Sequence, residues 1–344
     1  MRRRISPIAH AAYHDLLQSL RDEAVSEIRG TPTRVERNGK AYWYDTYRIG
    51  SDVRKAYIGE DTPERSARIA RLTEIASAGA ERRSNRARLI RILRAEGFLG
   101  VDAATGSLLN ALQKAGAFRL GGTIVGTLAF RLYEGELGIR YSVEQAAQTN
   151  DIDIASFERL SLAVEDVVSE PLQRVLDGFA FDAVPSLDKE KVWRWKQSRS
   201  ELLVEFLTPS FEEAEELKPL AALGVYAQSL HYLNYLIADP IDVAVTYRDG
   251  VLVQIPRPER FAIHKLIVSD RRKEGPNGVK AYKDRLQAAF LIDVLADDRP
   301  DDLVEAYDDA ASQGPRWRER LAAALKRMPE TQARLAEAGV RLQM

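Results

Sequence analysis

Two aspartates separated by a single isoleucine, Asp151 and Asp153, are the residues of this sequence best suited to do chemistry. At i and i+2 of an extended strand they point to one face, while Ile152 and Ile154 point to the other. NDIDIA therefore reads as a strand that buries one side and aims two carboxylates from its opposite side. Like charges so placed repel, and the usual compensation is a divalent cation with oxygen ligands. Upstream, GGTIVGTLAF carries a Gly126-Thr127 turn that opens an apolar helix. A glycine there lets backbone amides approach an anion, and the helix start carries partial positive charge. Acids for a metal beside a cradle for an anion point to a bound nucleoside triphosphate. Either signal alone is unspecific, since exposed strands often alternate acids.

Several elements must hold these groups in place. LLNALQKAGAF reads as a short helix leading to the strand before Gly126. After the aspartates, LAVEDVVSEPLQRVLDG reads as a helix. FDAVPSL, VWRWKQ and LLVEFLTP read as strands, the last two joined by the turn Ser198-Arg199-Ser200. In LLVEFLTP, Glu205 sits between Val204 and Phe206, and an acid inside an apolar strand is costly unless exposed or paired. Tyr247-Arg248-Asp249-Gly250 turns a hairpin between VAVT and VLVQIP. PERFAIHKLIVSDRR reads as a helix carrying Lys265, Arg271 and Arg272, with Phe261, Leu266 and Ile267 or Val268 on its apolar face. His264 beside Lys265 reads as structural. A helix from Val279 to Leu295 carries Lys283-Asp284, which reads equally well as site support or as a surface pair. The tail from Asp297 reads as a closing helical pair.

The front of the chain has another character. Residues 7–29 show helical apolar spacing, stopped by Gly30 and Pro32. Asn38-Gly39 is a hairpin signal and Gly50-Ser51 a weaker one, so a small antiparallel meander is expected. It carries Tyr42, Trp43, Tyr44, Tyr47 and Tyr57 among Arg37, Lys40, Arg48, Arg54 and Lys55, a mixture that can stack bases and track phosphates, or simply pack half its rings inward. Thr62-Pro63-Glu64 opens a helix through residue 96. Its segment ERRSNRARLIRILRAEG reads as a track for a polyanion or as a solvated face over Leu89, Ile92 and Leu93.

The chain has 344 residues, 45% of them hydrophobic, enough for one large or two ordinary cores. Its net charge is −1, but residues 1–100 hold 20 Lys+Arg against 13 Asp+Glu, a basic front of +7 before a back of −8. That asymmetry favours an anionic partner near the front. The absence of cysteine excludes disulfides, thiolate zinc sites and thiol nucleophiles. MRRRISPIAHAAYHD has no apolar run long enough for a signal peptide, and no stretch approaches a membrane span, so a cytoplasmic protein with no membrane contact is the expectation.

The order of glycine turn, helix and Asp-x-Asp resembles the polymerase-β-type nucleotidyltransferase superfamily. IVGTLAF, TNDIDIA, FAIHKLIVSDRR and AYKDRLQAAFLIDVL resemble bacterial nucleotidyltransferase-fold proteins akin to the AbiEii toxins of abortive-infection systems, over about residues 100–297. The resemblance implies an α+β fold: a mixed twisted sheet of about five strands with helices on one face and a helical C-terminal part. Residues 1–100 would then form a small basic module, 101–297 the nucleotidyltransferase domain and 298–344 a tail. It further implies two Mg²⁺ (or Mn²⁺) ions on Asp151, Asp153 and Glu205, phosphates held by Gly126 and Thr127, and Lys265 reaching the triphosphate. At position 205 the family more often has Asp, one methylene shorter. An NTP would be the donor and RNA, with tRNA foremost, the acceptor. An antitoxin or defence protein would be a partner. Two other readings stay open: an inactive nucleic-acid-binding adaptor on the same scaffold, and a small-molecule nucleotidyltransferase.

Overall fold

A sheet buried on one side carries the acidic residues, and the alternation along its strands decides which side is buried. The structure, a computed structural model, describes residues 3–24, 31–49, 52–141, 151–157, 167–168, 170–186, 191–212, 214–272 and 278–342. The expected Gly50-Ser51 turn, the end of the first helix at 25–29, Thr149, and residues 162–166 and 169 lie outside them.

In chain order, strand β1 (Arg3–Arg4) precedes helix α1 (Pro7–Ala24). Then come β2 (Thr31–Arg37), β3 (Lys40–Ile49) and β4 (Asp52–Glu60), the antiparallel meander. Asn38 and Gly39 both have positive φ, 53° and 75°, the twist that a two-residue hairpin needs. Helix α2 (Pro63–Ala95) starts on Thr62, whose side chain accepts from the Arg65 amide. Next are α3 (Ala103–Ala115), β5 (Thr123–Val125), α4 (Gly126–Leu137), β6 (Ile139–Arg140) and β7 (Asp151–Ala155).

Of the expected helix over 162–178, the described part is Leu172–Asp177, which begins after Pro171 at its N-cap, while Val167 and Val168 are not helical. Strands β8 (Phe181–Ala183), β9 (Arg194–Gln197) and β10 (Leu203–Pro209) follow, then β11 (Leu217–Leu220), β12 (Val225–Leu230) and the hairpin β13 (Ile241–Val245) and β14 (Val251–Ile255). The lysine helix, Pro258–Arg271, is followed by the helix Gly278–Asp298. The tail is three helices, not a pair: Pro300–Ser312, Pro315–Leu325 and Pro329–Glu337, each with proline in its first turn.

The main sheet is mixed, has seven strands and runs β11-β12-β10-β7-β5, with β8 and β9 attached along the edge of β10. Strand β10 is parallel to both β7 and β12. Ile152, Ile154, Val204 and Phe206 are at most 1% exposed and form the apolar face over the main core. Helix α4 lies in that core, and the lysine helix packs on it: Phe130 and Tyr133 hold Phe261 at ring distances of 6.2 and 5.4 Å.

A second core joins the front of the chain to the hairpin β13–β14. Tyr13, Leu16, Leu17 and Leu20 of α1 bury against Ile90 and Leu93 of α2 and Ala244 of β13. Arg86 lies inside the basic run read as a track or solvated face, yet it is 1% exposed. Its Nη2 donates to Glu23 at 2.6 Å and its Nε to the Asp249 carbonyl at 3.0 Å, so this cation anchors α2.

Glu134 of α4 is buried and accepts from the Leu99 amide at 2.7 Å. Desolvation pushes its carboxyl up to about 7, against the Leu99 N–H and the charges of Arg140 and Arg131. A folded-state value above the ordinary 4.5 means that the folded chain holds the proton more tightly. The contribution of Glu134 to stability is full below about pH 4.5 and is lost as the pH rises through about 7. Glu134→Gln is expected to remove roughly 2 kcal/mol of this pH dependence. Denaturant midpoints at pH 5 and pH 8 for both proteins measure it.

Candidate active site

In β7 the described burial alternates, with Asp151 and Asp153 half-buried and Ile152 and Ile154 fully buried. Strand β10 repeats the pattern around a half-buried Glu205. The parallel register pairs Glu205 with Asp153 and Leu203 with Asp151. Paired residues share a face of the sheet, so three carboxyl groups stand on two neighbouring strands about 4.8 Å apart. The geometry brings together Asp151, Asp153 and Glu205, opposite the apolar core.

On the other flank of β7, Val125 pairs with Asp153 and the chain turns directly into α4. Gly126 has φ +69°, and a Cβ there would run into Asp153 Oδ2. The turn therefore needs glycine both for its backbone angle and for close approach of the aspartate. Gly126→Ala is expected to cost about 1–3 kcal/mol. Gly39→Ala is the control, since Gly39 also has positive φ but open space around it. Chemical denaturation should show the larger loss at Gly126. The start of α4 has no side-chain cap hydrogen bond, and Thr127 in its first turn is half-buried.

The electrostatics follow from crowding. Asp153 is pushed up to about 7, first by burial, then by the charges of Glu205 and Asp151, with Lys265 and Arg272 opposing. Glu205 is also raised, by burial and then by Asp151, against Arg194, Lys280 and a hydrogen bond with Asp153. Lys265 is 8% exposed, so it is not a surface lysine. Its Nζ donates to Asp284 Oδ1 at 2.5 Å, and Arg272 holds the other oxygen at 2.8 Å. Lys283-Asp284 is thus not a surface pair: its acid lies 3% exposed beneath the lysine helix. His264 is buried and held neutral, pushed down to about 3 by burial and then by Lys265, which leaves it no role as a base near neutrality.

Sequence reasoning missed two cations, Arg194 and Lys280, and left Lys283 open. Arg194 of β9 stands opposite Glu205 in the antiparallel register. Exposed Lys280 acts on Glu205, and half-buried Lys283 on Asp151. The position of Lys280, one helical turn before Lys283-Asp284, is the signal that could have pointed to it.

The donor set fits a hard divalent cation in kind: it is all carboxylate oxygen, and a cation would offset the repulsion that raises Asp153 and Glu205. Among the described residues, however, no group of three or more His, Cys, Asp or Glu side chains is arranged to hold a metal ion. No helix among the described residues is long and apolar enough to cross a membrane.

Residues 103–312 match a family model described as a nucleotidyltransferase. Residues 8–67 match a second model, described as a domain of unknown function (DUF6788). No curated protein and no solved structure matches the chain.

Proposed function

The chain belongs to the nucleotidyltransferase family, whose model spans the carboxylate strands and the lysine helix, and from that premise we propose that it moves a nucleoside monophosphate from an NTP to an acceptor hydroxyl of RNA. The acceptor oxygen forms a bond to the α-phosphorus as the bond to the β-phosphate oxygen breaks, and pyrophosphate leaves. One observation carries this reading: Asp153 and Glu205 are paired in register, with Asp151 on the same face and Gly126 packed against Asp153.

In this reading Asp151, Asp153 and Glu205 hold Mg²⁺ or Mn²⁺. Bound there, the metal lowers the pKa of the acceptor hydroxyl and neutralises charge on the triphosphate. The amides of Gly126 and Thr127, with the Thr127 hydroxyl, cradle the phosphates. Lys265, fixed by Asp284, sets a positive field behind the carboxylates, and Lys280 and Lys283 extend it toward the leaving pyrophosphate. Residues 101–297 serve as the transfer domain and 298–344 close it. The likeness of IVGTLAF and TNDIDIA to abortive-infection toxins adds a defence setting and an antitoxin partner to the proposal.

RNA, with tRNA foremost, is favoured as acceptor by the module 1–100. Tyr44 and Tyr57 are cross-strand partners with rings 5.6 Å apart, and Tyr42 lies 6.2 Å from Tyr57. Tyr57 is 60% exposed. Trp43 turns to the opposite face, where its Nε1 donates to Asp61 at 2.8 Å, and Tyr47 packs on the main core. The rings left on the open face, with exposed Arg37 and Lys55 nearby, form a stacking surface in a basic field.

The test is label transfer from each α-labelled NTP in turn, with Mg²⁺ and total cellular RNA. Label in RNA is expected. Tyr44→Ala/Tyr57→Ala is expected to raise the RNA concentration needed for half-maximal labelling about tenfold or more, leaving the NTP dependence unchanged. Triphosphate binding that needs the aspartates, without label in RNA, would move the acceptor to a protein or small molecule. No triphosphate binding would leave the adaptor reading.

A further inference from the structure

Two of the chain's four histidines, His10 and His14, have no part in the site described above and stand on the exposed flank of α1. They are at i and i+4, the spacing that puts two side chains on one face of a helix, a turn apart. Their Nε2 atoms lie 3.2 Å from one another, with ring centroids 4.4 Å apart. An imidazole nitrogen binds a transition metal at about 2.0–2.1 Å, so two on one ion stand roughly 2.9–3.4 Å apart for bond angles between octahedral and tetrahedral. The observed separation falls inside that interval, and α1 thus holds both nitrogens at chelating distance.

The surroundings leave the pair open. Gly138 caps α4 at φ +61° and lies against His10. A Cβ there would come within 3.0 Å of the ring Cδ2 and 3.5 Å of Nε2, so glycine keeps the nitrogen edge clear. His10 and Gly138 also border a cavity of about 330 Å³, which gives an ion room for further ligands. Arg4 borders it too, but its guanidinium is committed to Asp298, at 2.7 and 2.6 Å. The charge of Glu136 acts on His10, and Glu136 is itself held by Arg299 at 2.9 Å, so it supplies a favourable field rather than a ligand. Among the described residues no third His, Cys, Asp or Glu completes a metal cage, which leaves the remaining positions to water.

We propose that His10 and His14 form an open two-histidine site for a transition-metal dication of the Zn²⁺, Ni²⁺ and Cu²⁺ group. Imidazole suits these ions, whereas Mg²⁺ prefers oxygen, so the pair and the carboxylate strands select different metals. In the neutral pair one Nε2 donates to the other. Coordination moves that proton to Nδ1 of the same ring, where the exposed imidazole meets water, and both Nε2 lone pairs then bind the ion with no net release of protons. The ion clips the first turns of α1, at the start of the segment 8–67 that matches the domain of unknown function. The site shares no residue with the carboxylate strands, so it stands or falls apart from nucleotidyl transfer.

The probe is Ni²⁺ alone, titrated by calorimetry into the full chain in excess Mg²⁺, which occupies oxygen-rich sites. A single tight uptake is expected. It should weaken roughly a hundredfold or more in His10→Ala and equally in His14→Ala, because loss of either ligand ends the chelate. Both residues are exposed, so the metal-free melts of these variants should match that of the native chain. Ni²⁺ should raise the melting midpoint of the native chain and leave those of the variants in place. His14→Ala/Asp15→His keeps the number of histidines but loses the i, i+4 spacing, and its affinity should stay low. No uptake by the native chain, uptake untouched by either single substitution, or affinity restored by the shifted histidine would each overturn the proposal.

Discussion

Replacing Asp151 and Asp153 by alanine is expected to lower nucleotidyl transfer by about a thousandfold or more while leaving the fold at least as stable. The activity loss follows from the proposed role: groups that hold a metal against a developing charge contribute several kcal/mol to the transition state, and each 1.36 kcal/mol is about tenfold in rate. The stability expectation runs the other way. Asp153 is crowded by burial, Glu205 and Asp151 until its carboxyl rises to about 7, so in the folded chain these acids repel one another. Removing them relieves that repulsion, at the cost of little buried apolar surface. Label transfer and a denaturant melt on the same variant decide the matter. A variant that melts earlier and keeps its residual rate would make the pair structural, and a fully active variant would sink the proposed function.

Asp284→Ala is expected to give the largest loss of stability, about 3–5 kcal/mol. Asp284 is 3% exposed and neutralises Lys265 at 2.5 Å and Arg272 at 2.8 Å. Without it, an 8% exposed ammonium remains in the interior without the carboxylate to which it donates. Burial works against the Asp284 carboxylate, but Lys265 and Arg272 hold it below its ordinary 3.8. Its contribution is therefore present above about pH 4 and is lost as the pH falls further. Lys265→Met in the Asp284→Ala background should recover much of the loss, because the unpaired charge goes with it. Equal stability of the single and double variants would show that the ion pair is not what holds these two helices together.

Much of the fold was legible because its rules are local. Asn38-Gly39 specifies a hairpin by its own backbone angles, and Thr62-Pro63 starts α2 by its own cap. The stretch 162–178 shows the limit. Its apolar spacing runs on through Pro171, but the helix Leu172–Asp177 starts only after that proline. Within the basic run of α2 a single cation departs from the solvated face. Arg86 has the same residue type as its exposed neighbours, and only packing against Glu23 and the Asp249 carbonyl makes it an internal anchor.

By itself, the sequence determined that two carboxylates would share a strand face, that a glycine turn would open a helix upstream of them, and that the front would be basic and aromatic. Periodicity and turn chemistry act between near neighbours, and near neighbours are what a sequence displays. Only the tertiary structure decided that Glu205 lies level with Asp153, that Gly126 leaves room for the Asp153 carboxylate, that Lys265 is held by Asp284, and that Arg194 stands opposite Glu205. It also sorted the meander's rings, turning Trp43 and Tyr47 inward and leaving Tyr42, Tyr44 and Tyr57 on the open face. Each of these depends on strand order, register or helix packing, which bring distant segments together through burial of surface that no local pattern specifies.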